Sequence, residues 1–116
     1  MTKTKIFHNP RCSKSRQTLS LLEEHGETPE IVEYLNTPPT QEELTFIIDE
    51  LGVQPRDLMR KGEAEYKVLN LADESLDNRA LIDAMVENPR LIERPIVIKN
   101  GKVAVGRPPE NVLSIL

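Results

Sequence analysis

Nine consecutive residues, His8-Asn9-Pro10-Arg11-Cys12-Ser13-Lys14-Ser15-Arg16, concentrate the reactive side chains of this sequence. They hold its single cysteine, one of its two histidines, three cations and two hydroxyls. The run Lys5-Ile6-Phe7-His8 before them reads as a short strand, and a helical pattern begins at Ser13, which predicts Cys12 at a helix N-terminus. Unpaired amides and the helix dipole favour negative charge there, and a thiol so placed has a lowered pKa. Arg11, Lys14 and Arg16 would act in the same direction. The same amides could hold an oxyanion, and Ser13 and Ser15 could donate to either. The alternative is a buried structural cysteine, since free Cys is among the most buried residue types. Neighbours that are Arg, Ser and Lys rather than aliphatic favour the reactive thiol. His8 is either a tuner of the thiolate or a strand-end surface residue.

Two better-known thiol motifs fit poorly. A phosphatase loop places cysteine and arginine six positions apart, whereas Arg16 is four positions after Cys12 and the sixth position is Thr18. A dithiol redox motif would need cysteine where Ser15 stands.

The rest of the chain must position this segment. It has 116 residues and a formal net charge of −4, which suits one domain with one core. Two Phe, two Tyr and no Trp make that core aliphatic. A lone cysteine excludes an internal disulfide and a Cys-rich zinc site. No apolar run approaches the ~20 residues of a membrane span, and no secretory signal is evident, so a cytoplasmic location is expected. Charge is unevenly spread. Residues 1–22 hold five basic and no acidic residues, and residues 90–107 hold five basic and one acidic. Residues 23–89 hold seventeen acidic and five basic ones. Brought together, the basic ends would form a local anion site; otherwise they are solvated surface charges.

The predicted elements run β-α-β, a block of helices, then β-β-α. The second strand is predicted over Glu30–Leu35. Thr40 and Glu43 form a capping-box pattern ahead of Leu44, Ile47, Ile48 and Leu51, one helix face ended by Gly52. Pro55 can open a short helix with Leu58 and Met59. Asp77 can cap a helix burying Leu81, Ile82, Met85 and Val86. Asn100-Gly101 between Pro95–Lys99 and Lys102–Val105 signals a type I′ hairpin. Pro108-Pro109 is predicted to start a C-terminal helix through Val112, Leu113 and Leu116. The class is α/β: a thioredoxin-like plan with a four-stranded mixed sheet and a helical insertion, about 37–90, between the βαβ and ββα halves of a single domain spanning 1–116.

Asn9-Pro10-x-Cys12-x-x-Ser15-Arg16-x-Thr18-Leu19 resembles the active-site motif of the glutaredoxin-dependent arsenate reductase family. Arg94-Pro95 and Gly106-Arg107-Pro108-Pro109 match it too, so the resemblance spans the chain. It departs at Ser13 and Lys14, where family members that reduce arsenate carry Gly and Thr, and this places it in a Ser-Lys variant subgroup. The resemblance implies that Cys12 attacks arsenic and forms a covalent adduct. It implies that Arg60, Arg94 and Arg107 bind the oxyanion, that His8 and Ser15 support the thiolate, and that Pro95 is cis. With one cysteine, an external thiol must resolve the adduct. Glutathione and glutaredoxin are the implied partners, with arsenate or a similar oxyanion as substrate. No bound cofactor or metal, nucleic acid or membrane is implied. Two other readings are a glutathione-linked thiol oxidoreductase with another substrate, and a transcription-regulator-like binding protein. The missing Cys-x-x-Cys switch weighs against the latter.

Overall fold

The computed structural model describes residues 4–116; Lys3, one of the basic residues at the N-terminal end, lies outside them. The chain divides into two compact units, one comprising residues up to Thr37 together with Arg94–Leu116, the other Pro38–Glu93.

The first unit is built on a four-stranded mixed sheet of order β2-β1-β3-β4. Its strands are β1 (Lys5–His8), β2 (Glu30–Glu33), β3 (Ile96–Lys99) and β4 (Lys102–Val105). β1 pairs parallel with β2 and antiparallel with β3, which pairs antiparallel with β4. The register sets Ile6 opposite Val97 and Val97 opposite Ala104, so these three share one face. Helix α1 (Ser13–Glu24) and a 3-10 segment, Pro109–Ile115, supply Leu22, Val112 and Ile115 to the same core. Asn100 and Gly101 adopt positive φ, 55° and 74°, as a type I′ turn requires.

Two predicted elements differ. β2 stops at Glu33, two residues short of the predicted end. The N–H groups of Asn36 and Thr37 donate to the Glu33 carbonyl and turn the chain away from the ladder, while Tyr34 is buried. The C-terminal segment is 3-10, not α-helical. Its buried residues, Pro109, Val112 and Ile115, recur every third position, the period of a 3-10 helix. Leu113 and Leu116 are correspondingly exposed. Asn111 Nδ2 donates to the Arg107 carbonyl and Ser114 Oγ to the Asn111 carbonyl, side-chain bonds that compete with an α-helical ladder.

The second unit contains α2 (Gln41–Leu51), α3 (Ala64–Val68) and α4 (Asn78–Glu87). Thr40 accepts from the Glu43 amide while the Glu43 side chain accepts from the Thr40 amide, a complete capping box. Gly52, at φ 68°, ends α2 in the left-handed conformation. Leu44, Ile47 and Ile48 are buried on α2, and Leu81, Ile82 and Met85 on α4, whose N-cap Asp77 accepts from the Ala80 amide. Val86 is half-buried. Pro55 opens a 3-10 turn, Pro55–Leu58. No helix among the described residues is long and apolar enough to cross a membrane.

Candidate active site

Cys12 is the N-cap of α1, with extended backbone at φ −91° and ψ 123°. Its amide donates to the Asn9 carbonyl and its carbonyl accepts from the Arg16 amide, so the chain turns directly from β1 into the helix. The thiol is 8% exposed. Burial pushes its pKa up, but four groups outweigh that and hold it below the ordinary cysteine value. In order, they are the Ser15 amide, the Arg94 charge, the Lys14 amide and the Arg107 charge. Cys12 makes no capping hydrogen bond of strict geometry; the amides act on the sulfur as dipoles at the helix end. No acidic residue occupies the first turn of α1, so no carboxylate competes with the thiolate there.

The cations that act on the sulfur come from the far end of the chain. Arg107 Nη2 lies 3.7 Å from Cys12 Sγ, and Arg107 Nε donates to the Arg94 carbonyl at 2.8 Å. Arg94 Nε and Nη1 are buried, and the Arg94 charge acts on Cys12. Both arginines precede a proline, and both peptide bonds, Arg94–Pro95 and Arg107–Pro108, are cis. Arg11, Lys14 and Arg16, predicted to help lower the thiol pKa, have exposed side chains screened by water. Arg16 Nη1 instead donates to the Pro10 carbonyl and braces the loop, and Lys14 contributes through its backbone amide.

His8 and Ser15 are both buried and touch each other. Ser15 Oγ accepts from the Asn9 amide at 3.0 Å and lies 2.6 Å from His8 Nδ1. Burial lowers the His8 pKa, Glu33 raises it and Arg16 lowers it, with a net downward direction. His8 Nδ1 and Ser15 Oγ share one hydrogen bond, whose donor is set by the imidazole tautomer. This network ties β1, the Asn9–Cys12 turn and the first turn of α1 together.

Arg60 belongs to the second unit. Its amide donates to the Leu91 carbonyl, beside the Met59–Ile92 bridge, and its guanidinium pairs with Glu63. Glu63 also reaches Arg90 at 3.4 Å. Among the described residues no three His, Cys, Asp or Glu are grouped as a metal site would require.

Two residues escaped functional notice in the sequence, although both lie in the quoted motifs. Thr18 is fully buried on α1. Gly106 packs against it so closely that a Cβ there would stand 2.5 Å from Thr18 Oγ1. The glycine immediately before Arg107 was the available signal.

A family model described as the ArsC family matches residues 7–115. The chain belongs to the ArsC family. It is 58% identical over 118 residues to "Uncharacterized protein YfgD" of Escherichia coli, covering 100% of this chain and 99% of that one. An arsenate reductase of Neisseria meningitidis is 54% identical over 117 residues, with 100% of both chains covered. A solved arsenate reductase from Vibrio cholerae superposes with a TM-score of 0.95 at 52% identity, over 99% of this chain and 98% of that one. This ArsC-family chain thus has the thioredoxin-like fold of those structures.

Proposed function

We propose that this protein is an arsenate reductase in which Cys12 is the nucleophile and glutathione with glutaredoxin supplies the electrons. The observation that carries the reading is the sulfur of Cys12 at the α1 N-terminus, with the Arg107 guanidinium 3.7 Å away. The full-length likeness to proteins named arsenate reductase supports the choice of substrate.

The Cys12 thiolate attacks arsenic, an S–As bond forms, and an oxygen leaves as water after protonation. Arsenic remains As(V) in this adduct. Arg94 and Arg107 neutralise the oxyanion as it approaches a sulfur that is itself negative. His8 and Ser15 hold the turn that presents the thiolate, and Pro95 shapes the wall of the site. A glutathione thiolate then attacks Cys12 Sγ. The S–S bond forms, the S–As bond breaks, and its electron pair reduces arsenic to As(III), which departs as arsenite. Glutaredoxin exchanges the mixed disulfide and frees Cys12. Each arsenate oxidises two thiols and yields one water. The cycle uses no bound cofactor and suits a reducing, cytoplasmic setting.

Purified protein should show arsenate-dependent NADPH oxidation when coupled through glutathione, glutathione reductase and glutaredoxin. Cys12→Ser should abolish it. A Cys12→Ser variant of full activity, or a Cys12 pKa near the free value of about 8.5, would overturn the reading.

A second substrate reading, a glutathione mixed disulfide or another oxyanion, rests on exposed Ser13 and Lys14 in the first turn. Stable Cys12 glutathionylation without arsenate turnover would favour it.

A further inference from the structure

Gly106 has no positive φ that would demand glycine; what its position lacks is space. On one side stands Thr18: a Cβ on Gly106 would lie 2.5 Å from Thr18 Oγ1 and 3.0 Å from Thr18 Cγ2. On the other stands Pro95, whose Cγ would be 2.8 Å away. The Gly106 amide donates to the Pro95 carbonyl at 2.9 Å and closes this side further. Thr18 itself is fixed, because its hydroxyl donates to the Lys14 carbonyl at 2.8 Å. Its separation from the Gly106 carbonyl, 3.5 Å, is too long for a second strong hydrogen bond. The contact is therefore one of shape.

Arg107 follows at once. Its amide donates to the Val105 carbonyl, a three-residue turn centred on Gly106. Its side chain then reaches the Arg94 carbonyl and the sulfur of Cys12. Cys12 and Thr18 sit on the same helix, six residues apart. The spacing between thiol and guanidinium is thus set by a rigid path: the α1 backbone, the Thr18 side chain, and the bare backbone of Gly106.

We propose that Thr18 and Gly106 are positioning residues whose close contact sets the distance from Arg107 to Cys12, and through it the reactivity of the thiol. The proposal rests on the reading of Cys12 as a thiolate nucleophile. It adds a reason for the glycine of Gly106-Arg107-Pro108 and for a buried threonine that touches no reacting atom.

The test is the rate of Cys12 alkylation by iodoacetamide against pH, which a single cysteine makes specific. Gly106→Ala must push the end of β4 off Thr18 and carry Arg107 outward. The pH midpoint should rise and the rate at pH 6 should fall about threefold, from weakened Coulomb attraction. Adding Thr18→Ala removes both clashing Thr18 atoms, leaves the Pro95 contact, and should return part of the rate. A purely structural role would lower thermal stability and leave the midpoint in place. An unchanged midpoint in folded Gly106→Ala, or no recovery in the double variant, overturns the proposal. Should Gly106→Ala not fold, Thr18→Val sets a bulkier methyl against Gly106 while keeping the core volume. An upward midpoint there supports the proposal, and an unchanged one overturns it. The parent protein's midpoint judges the thiolate reading; the difference between parent and variants judges this one.

Discussion

Arg107 Nη2 stands 3.7 Å from Cys12 Sγ across 95 positions of sequence. This joins the basic N-terminal end of the chain to its basic C-terminal end inside one unit. A guanidinium at that range favours the thiolate over the thiol. Arg107→Ala should therefore slow Cys12 alkylation at pH 6 by roughly five- to tenfold. Arg107→Lys should recover part of the rate only, because an ammonium cannot hold the Arg94 carbonyl and face the sulfur with one planar fork. Equal rates in all three proteins would contradict the electrostatic role.

The lowered Cys12 pKa also makes folding stability depend on pH. A group whose folded pKa lies below its unfolded value stabilises the fold fully above the unfolded pKa, about 8.5 for cysteine. That contribution is lost as pH falls through the folded value. The stability of the protein relative to Cys12→Ser should accordingly be greater at pH 9 than at pH 6. Urea unfolding of both proteins at the two pH values checks this, and other titrating groups cancel in the comparison. A difference independent of pH would mean that the thiol is not shifted.

Ser15 tests the network beneath the nucleophile. Its hydroxyl satisfies His8 Nδ1 and the Asn9 amide at once, in a buried setting. Ser15→Ala leaves both without that partner and should cost about 1–3 kcal/mol, read as a lower urea midpoint with an unchanged slope. A loss below about 0.5 kcal/mol, within the range of an ordinary surface substitution, would show that water replaces the hydroxyl.

Local signals in the sequence were read well where one physical requirement dominates. Thr40 with Glu43 specifies the start of α2 because two orphan amides need side-chain acceptors, and both find them. Asn100-Gly101 specifies the hairpin because both central residues must tolerate positive φ. Cys12 at a helix start follows from the switch between strand and helix patterns. Signals failed where tertiary packing decides. The 109–115 segment offers an α-helical choice, Leu113 and Leu116, and a 3-10 choice, Ile115, and packing against α1 and β4 selects the second. Among the cations near Cys12, sequence proximity favoured Arg11, Lys14 and Arg16. The structure brings Arg94 and Arg107 instead, because β3 begins and β4 ends beside the end of β1 that leads into α1. The Thr18–Gly106 contact was invisible for the same reason: it exists only once α1 is packed against the end of β4.

Arg60 requires a different test, because its guanidinium is held by an internal carboxylate, Glu63, that Arg90 also approaches. If Arg60 binds the oxyanion, it exchanges one anionic partner for another, and Glu63 competes with substrate. Arg60→Ala should then raise KM for arsenate and lower kcat/KM roughly ten- to a hundredfold, the worth of a hydrogen bond to a charged group. The pH midpoint of Cys12 alkylation should stay in place, since the lost contact is to substrate and not to the thiol. Glu63→Gln should act in the opposite direction, lowering KM by about two- to fivefold, because the pair it breaks is partly exposed and therefore weak. Opposite movements of KM in the two variants identify Arg60 as an anion ligand. Equal kinetics with only a stability loss would confine the Arg60–Glu63 pair to holding the second unit together.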